Sequence, residues 1–158
     1  MTARVDAIYI ARDSGAVMEY LQEARLLAGQ GIEGDRYFSG SGTFSEKLAG
    51  LPDHEITLIE AEEIDRFNGQ QGLSLTYGDL RRNIVTRGIR LNDLVGRDFR
   101  IGAVQFRGIR LCEPCAYLAE IVTPQVLKGM VHSAGLRACI LNDGTIREND
   151  PISACEND

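Results

Sequence analysis

Short segments in which apolar and polar residues alternate occur along most of the chain. An alternation with a period of two places one set of side chains on each face of a strand, so these segments predict β-strands. The first, Val5–Ile10, is apolar and β-branched, which favours a strand. The predicted strands cover residues 5–10, 55–59, 83–86, 98–101, 104–107, 109–112 and 136–140.

Helical patterns are fewer and shorter. Glu60–Phe67 places Ala61, Ile64 and Phe67 on one face. Pro114 and Pro124 are each typical of a first helical turn, which predicts helices over 114–122 and 124–131. The segment 18–27 fits a helix or a strand equally well. Many short strands, few helices and no regular strand–helix alternation predict a mainly β, barrel-like fold with a few short flanking helices.

Turn residues separate several of the predicted strands. Asn142-Asp143-Gly144 follows the strand over 136–140 and is typical of a hairpin turn with positive φ. It predicts a partner strand over Thr145–Arg147. The segment Ser39–Thr43 is rich in glycine and serine and predicts a surface loop.

The composition is that of an ordinary globular domain. The chain has 158 residues, of which 44% are hydrophobic and 25% are charged. This length fits one domain, and we expect a single domain over 1–158 with its core at about 5–153. No apolar run approaches the ~20 residues that a membrane span needs, and residues 1–6 do not resemble a secretory signal. We therefore expect a cytoplasmic protein without a membrane contact.

Charge is distributed unevenly along the chain. The net charge of −6 argues against nonspecific nucleic-acid binding, which requires a basic surface. The segment 81–110 nevertheless contains eight arginines and only two acidic residues, Asp93 and Asp98. Arginine binds carboxylate and phosphate oxygens in a bidentate manner. The segment therefore indicates a small anionic ligand, although each arginine taken alone fits an ordinary solvent-facing strand position.

The most specific chemical pattern is Cys112-Glu113-Pro114-Cys115. A helix opened by Pro114 would place Cys115 in its first turn, where backbone N–H groups and the helix dipole stabilise a thiolate. Two buried core cysteines, a structural zinc site and a thioredoxin-like dithiol are the alternatives. The other candidate ligands (Cys139, Cys155, His54 and His132) are scattered, which disfavours zinc. We favour a single working thiolate at Cys115 beside an anion site.

Three further segments carry candidate ligand contacts. In Gly31-Ile32-Glu33-Gly34-Asp35-Arg36, Asp35 and Arg36 fit either a mutual pair or a ligand contact, and a surface turn is the alternative. Before the strand at 83–86, one of Arg81 and Arg82 is expected to point into the barrel and the other towards water. His132 fits a proton shuttle, a phosphate contact or a structural histidine.

Taken together, these segments resemble the MOSC family, named for the C-terminal domain of molybdenum cofactor sulfurases. The matching motifs are Gly-Ile-Glu-Gly-Asp-Arg at 31–36, Ile-Thr-Leu-Ile-Glu-Ala-Glu at 56–62, Arg-Arg-Asn-Ile-Val-Thr-Arg-Gly at 81–88, Leu-x-x-Leu-x-Gly-Arg-x-Phe-Arg-Ile-Gly at 91–102, Leu-Cys-Glu-Pro-Cys at 111–115 and Gly-Leu-Arg-Ala at 135–138. Their order and spacing over residues 31–152 carry the resemblance. Asn149-Asp150 stands where many members have Gly-Asp, and asparagine tolerates the positive φ of that turn.

The resemblance implies a small, stand-alone MOSC β-barrel that binds the molybdenum cofactor (molybdopterin). The family's working cysteine, which ligates molybdenum or carries sulfur, corresponds to Cys115. Contacts to the pterin phosphate would come from Arg82 and Asn83, and further from Arg36 and Arg137. We add His132 to these cofactor-binding candidates. Larger relatives place the domain behind a pyridoxal-phosphate desulfurase, for which this chain has no room, so pyridoxal phosphate is not expected.

Three functions remain compatible with the sequence. The first is a molybdenum enzyme that reduces N-hydroxylated compounds with electrons from a flavin or iron–sulfur partner. The second is a sulfur carrier that a cysteine desulfurase loads with a persulfide at Cys115. The third is a regulatory barrel in which the arginines bind an anion without thiol chemistry. The substrate and the oligomeric state do not follow from the sequence.

Overall fold

The computed structural model describes residues 2–43, 45, 49–51 and 54–155. In these residues strands outnumber helices, as the alternating pattern predicts. The strands are β1 (Arg4–Ile10), β2 (Glu19–Leu21), β3 (Glu23–Leu27), β4 (Gly31–Ile32), β5 (Ile56–Glu60), β6 (Ile84–Arg87), β7 (Asp98–Ile101), β8 (Val104–Leu111), β9 (Leu136–Ile140), β10 (Gly144–Arg147) and β11 (Ile152–Ala154). The helices are α1 (Arg36–Ser39), α2 (Ala61–Gln71), α3 (Ala116–Ile121) and α4 (Val126–Gly129), with a 3₁₀ turn over Leu91–Leu94.

Eight strands form one curled sheet in the order β11-β7-β8-β9-β5-β6-β1-β2. Neighbours are antiparallel except for β5 and β6, which are parallel and joined through α2. The sheet curls until β11 meets β1, where the N–H of Val5 donates to the carbonyl of Asp150 at 3.0 Å and that of Ile152 donates to Ala3 at 2.9 Å. The prediction of a mainly β, barrel-like domain with short helices is confirmed.

The hairpin predicted at Asn142-Asp143-Gly144 is wrong. β9 belongs to the large sheet, whereas β10 pairs with β3 in a separate sheet of order β10-β3-β4. Gly144 does not have a positive φ. Its role is close packing, because a Cβ there would lie 2.7 Å from a methyl group of Val104. By contrast, Asn149 adopts the predicted positive φ, at 73°, in the turn between β10 and β11.

Two apolar cores explain why the central strands are buried on both faces. Alternate residues of β5 contribute to different cores: Leu58 lies inside the curled sheet and Ile59 lies outside it. The inner core also holds Phe99 and Phe106, whose rings stack at 5.2 Å. The outer core lies beneath the helices and contains Phe67 of α2. The helices are therefore held against the outer face of the sheet by apolar burial.

The ends of the predicted helices and strands shift by a few residues. Residues 18–27, which fitted a helix or a strand, form β2 and β3. The segments predicted as separate strands over 104–107 and 109–112 form the single strand β8. The helix predicted from Pro124 begins two residues later, at Val126. In the described part of the chain, no helix has both the length and the apolar character required to cross a bilayer.

Candidate functional site

Cys115 lies in a small cavity with four arginines, and we call this site the Cys115 cavity. It brings together three of the arginine candidates, Arg36, Arg82 and Arg137, and adds Arg81. Its free volume is about 30 Å³, which is about the volume of one water molecule. The complete lining is Arg36, Tyr37, Thr43, Thr57, Arg81, Arg82, Cys115, Tyr117, Leu118 and Arg137.

Cys115 is the N-cap residue of α3. The helix begins at Ala116, so Cys115 precedes the first turn in which the sequence placed it. Its backbone is extended, and its Sγ accepts a hydrogen bond from the N–H of Leu118 at 3.5 Å. An N-cap side chain is an acceptor for helix N–H groups, and a thiolate is a better acceptor than a thiol. The half-buried sulfur therefore reaches the cavity while the helix start holds it in place.

Cys112 occupies a different environment. Its side chain is buried at the end of β8, and its carbonyl accepts a hydrogen bond from Arg82 at 3.2 Å. All four cysteines are free, so Cys112 and Cys115 do not form a disulfide in this structure. Burial raises the pKa of the third cysteine, Cys139, which keeps that thiol protonated. Cys115, by contrast, combines partial exposure with neighbouring arginines.

Arg81 and Arg82 both line the Cys115 cavity, contrary to the prediction that one would face water. Arg81 has a left-handed backbone with φ of 63°, and residues 81–83 precede β6 rather than belonging to it. The alternation of a regular strand therefore does not apply to this pair. The left-handed residue turns the chain so that both guanidinium groups reach the same cavity.

Backbone carbonyls hold the guanidinium of Arg82. Its Nε donates to the carbonyl of Ala134 at 2.8 Å and its Nη2 donates to Cys112 at 3.2 Å. Gly135, next to one of these carbonyls, lets the chain pass close to β5, because a Cβ at its φ of 123° would lie 2.2 Å from the carbonyl oxygen of Leu58. Carbonyl acceptors fix the guanidinium without cancelling its charge. The buried Arg82 therefore presents a full positive charge to the cavity.

Asp35 holds Arg36, another residue of the cavity lining, in place. It is fully buried, caps α1 through the N–H of Tyr37, and accepts from the N–H of Ala11 at 3.1 Å. Its Oδ1 also pairs with Nη1 of Arg36 at 3.0 Å. The motif at 31–36 is thus a buried ion pair that faces the cavity through Arg36, and the surface-turn alternative does not hold.

Asn83 holds Thr57, which lines the cavity, through hydrogen bonds. Its Oδ1 accepts from the N–H and the hydroxyl of Thr57, and its Nδ2 donates to the carbonyl of Tyr9 at 3.1 Å. These contacts, with a longer one to Asp35 at 3.4 Å, use most of the hydrogen-bonding capacity of the amide. Asn83 is not part of the cavity lining. Its observed contacts position Thr57 and Asp35 rather than a ligand.

The cavity has an excess of positive charge and one unsatisfied donor. Burial and the nearby charge of Arg36 lower the pKa of Arg81, which shows how costly it is to hold these cations together. Arg81 donates through Nη1 to the carbonyl of Ala16 at 2.7 Å, but its buried Nη2 has no hydrogen-bond partner. A buried N–H without an acceptor is costly. An anion in the cavity would relieve both costs.

His132 lies apart from this group. Its side chain is 71% exposed and its Nδ1 contacts the carboxylate of Glu113 at 2.6 Å. It lines a separate surface hollow beside α2 and α4 together with Arg66, Arg90 and Lys128. The structure therefore does not bring His132 together with Cys115, and its proposed role at the cofactor stays a prediction.

The sequence analysis missed five residues of the cavity lining: Tyr37, Thr43, Thr57, Tyr117 and Leu118. Thr57, for example, stands in no pattern that marks a ligand contact. A signal existed for Tyr117, because it lies two residues after Cys115 at the start of a helix. Among the residues that the structure describes, no group of three or more His, Cys, Asp or Glu side chains could hold a metal ion. A metal bound by Cys115 would take its other ligands from a cofactor.

The fold and the site define a curled, mainly β domain with a cysteine at a cationic cavity beside its outer helices. A family model described as "MOSC domain" matches residues 45–153. The chain belongs to the MOSC domain family. No protein of curated function matches it.

Solved structures of similar fold come from several bacteria. The YuaD protein from Bacillus subtilis has a TM-score of 0.80 at 17% identity, covering 96% of this chain and 94% of that chain. YiiM from Geobacillus stearothermophilus has a TM-score of 0.75 at 15% identity, covering 98% of this chain and 75% of its own. YiiM from Escherichia coli has a TM-score of 0.67 at 17% identity, with coverages of 100% and 71%. These likenesses confirm the fold.

Proposed function

We propose that the protein binds a molybdopterin-type molybdenum cofactor, with Cys115 as the metal-ligating thiolate. The observation that carries this proposal is the joining of one half-buried cysteine with four arginines in a single cavity. A thiolate is a soft ligand suited to such a metal, and guanidinium groups suit a phosphate. The family association of MOSC domains with the molybdenum cofactor agrees with this donor set.

The residues present fit the chemistry of this group. Cys115 supplies one sulfur ligand, and Arg82 and Arg137 supply N–H donors for an anionic oxygen. When bound, the cofactor would supply redox chemistry at its metal. The chain's own contribution is to hold the sulfur through the N–H of Leu118 and to offset negative charge with the arginines.

Arg82 and Arg137 are the proposed phosphate contacts, and Arg36 lines the same cavity as a third candidate. Arg82 is buried and held by two carbonyls, so its orientation is set before any anion binds. Such preorganisation lowers the entropic cost of binding. Asn83 acts indirectly, by fixing Thr57 and Asp35.

A sulfur-carrier function is the second candidate, and the free volume of the cavity favours it. About 30 Å³ has room for one added sulfur atom or a small oxyanion, but not for a pterin ring system. A persulfide on Cys115 adds one sulfur atom, which is within this volume. In this case a cysteine desulfurase is the partner that supplies the sulfur.

If the metal cofactor is bound, we propose that the reaction is the reduction of N-hydroxylated compounds. It would consume two electrons and two protons per N–O bond, releasing water, and a flavin or iron–sulfur protein would supply the electrons. Such a protein would act in the cytoplasm, where reduced thiols persist.

The decisive experiment compares Cys115→Ser with Cys112→Ser in protein produced by a host that makes the cofactor. Molybdenum content and pterin fluorescence are measured on both variants and on the wild type. We expect the wild type and Cys112→Ser to retain both signals and Cys115→Ser to lose the metal. Equal loss in the two variants would support a dithiol instead. A persulfide on the wild type without molybdenum would establish the sulfur carrier and refute the cofactor proposal.

A further inference from the structure

A second, larger pocket adjoins the Cys115 cavity. Its free volume is about 350 Å³, within the range of small-molecule sites. Arg81 and Tyr117 line both spaces, so these two side chains separate the pocket from the thiol. We call it the Tyr9 pocket after one of the two tyrosines that line it.

The walls of the Tyr9 pocket combine apolar and aromatic side chains with polar groups in about equal measure. Met18 and Val122 are half-buried in the wall, while Val17 and Ile121 are 89% and 45% exposed. Exposed apolar side chains that gather at the mouth of a pocket are typical of a site for an organic ligand. A purely polar or inorganic ligand would gain nothing from them.

The aromatic wall is held rigidly. The ring of Tyr9 packs against the Gly78 backbone so closely that a Cβ at Gly78 would lie 2.9 Å from the ring. On another side, Tyr20 meets the Tyr9 ring edge-on at 5.9 Å between centroids. A ring fixed in this way offers a planar face to an aromatic ligand at little entropic cost.

Two charged residues, Arg81 and Asp79, line the pocket. Arg81 lies on the wall shared with the Cys115 cavity and donates through Nη1 to the carbonyl of Ala16, leaving the buried Nη2 without a partner. Asp79 is exposed, and its carboxylate already accepts from the N–H of Thr76. A ligand acceptor is therefore favoured beside Arg81, and a second negative charge is disfavoured beside Asp79.

We infer that the Tyr9 pocket binds an organic monoanion with an aromatic or apolar body, its anionic group directed at Arg81 and its body lying between Tyr9 and Ile121. The orientation places the anionic end of the molecule next to the wall that it shares with Cys115. The assignment of this molecule as the substrate rests on the proposed function, whereas its binding does not require the thiol.

The test uses benzoate and its neutral isostere benzamide as probes, titrated into the full chain and followed by ¹H–¹⁵N NMR. We expect benzoate to shift the amide signals of the Tyr9 pocket and to bind roughly tenfold or more tightly than benzamide, as a charge-assisted hydrogen bond requires. Equal affinity for the two probes would overturn the assignment of Arg81 as the anion contact.

Matched variants locate the site. Ile121→Asp should abolish benzoate binding, whereas Leu127→Asp, at a similarly exposed position outside the pocket, should not. Arg81→Gln should reduce the preference for benzoate, whereas the exposed Arg147→Gln should leave it unchanged. Benzoate binding that survives Ile121→Asp but disappears in Arg82→Gln would place the anion in the Cys115 cavity and overturn the inference.

The same titration separates this inference from the proposed function. Cys115→Ser should bind benzoate as the wild type does, because the sulfur does not line the Tyr9 pocket. A protein without molybdenum that still binds benzoate would refute the cofactor proposal and support the pocket. A protein that retains molybdenum but binds neither probe would support the cofactor proposal and refute the inference about the Tyr9 pocket.

Discussion

Arg82 and Arg107 come from one arginine-rich segment but occupy opposite environments. Arg82 is buried and donates to two backbone carbonyls. Arg107 lies on the outer surface of β8 and pairs with Asp98 at 2.8 Å. A carboxylate neutralises its arginine, whereas a carbonyl orients the guanidinium and leaves its charge available. The comparison teaches that an arginine's acceptor, rather than its position in a charged segment, marks it as a ligand contact.

Other arginines of the segment resemble Arg107 in lying close to carboxylates. Arg87 contacts Asp6 and Tyr77, and Arg90 lies near Glu60 and Glu63. The arginines of the segment are therefore divided between the Cys115 cavity and ion pairs elsewhere on the sheet. The Cys115 cavity takes two arginines from it and two, Arg36 and Arg137, from distant segments.

The largest expected effect concerns Arg36, whose guanidinium pairs with the buried carboxylate of Asp35. Asp35→Ala removes the buried partner of Arg36 and the cap of α1. We expect the free energy of unfolding to fall by about 3–5 kcal/mol, since one buried charge is left uncompensated. Urea denaturation measures this loss. The control is Asp98→Ala, which breaks the exposed pair with Arg107 and should change the midpoint far less. Similar losses in both variants would contradict the difference between the two environments.

A smaller effect is expected when the buried Arg82 is replaced by methionine. The variant keeps much of the side-chain volume but leaves the carbonyls of Ala134 and Cys112 without their donor. We expect a loss of about 2–3 kcal/mol in the free energy of unfolding. Affinity for inorganic phosphate should also fall. Arg107→Met should alter neither quantity appreciably, and a phosphate affinity that is equally sensitive to both variants would show that the anion binds outside the cavity.

The smallest effect sharpens the comparison with a buried carboxylate that backbone N–H groups hold in place. Glu55 is buried and accepts from the N–H groups of Gly29 and Ile140, and burial raises its pKa above 4.5. Because the folded state holds the proton more tightly than the unfolded state, stability should fall as the pH rises from 4.5 through the raised pKa.

Glu55→Gln keeps an acceptor oxygen for both N–H groups and removes the titration. Its stability should therefore lack this fall, and the variant should equal or exceed the wild type at neutral pH. Denaturation curves at pH 4 to 8 measure the difference. A parallel pH dependence in the two proteins would show that another group is responsible.

Much of the fold was predictable because strand periodicity is a local property. The segments at 98–101 and 136–140 form strands with the predicted bounds. The hairpin at 142–144 failed for a non-local reason, since Gly144 is required where the chain passes Val104 rather than by the turn itself. Likewise, the left-handed backbone of Arg81 overturned the alternation on which the placement of Arg81 and Arg82 depended.

The sequence by itself determined the mainly β class and the family resemblance, because both depend on local spacing and residue type. The choice of Cys115 over the other cysteines rests on the same local signals and stays a prediction. Only the tertiary structure decided which arginines surround that sulfur, since Arg36 and Arg137 reach it from segments about a hundred residues apart. It also separated His132 from the site and revealed the Tyr9 pocket. Distances between remote side chains depend on how the sheet curls, and no local pattern encodes that curvature.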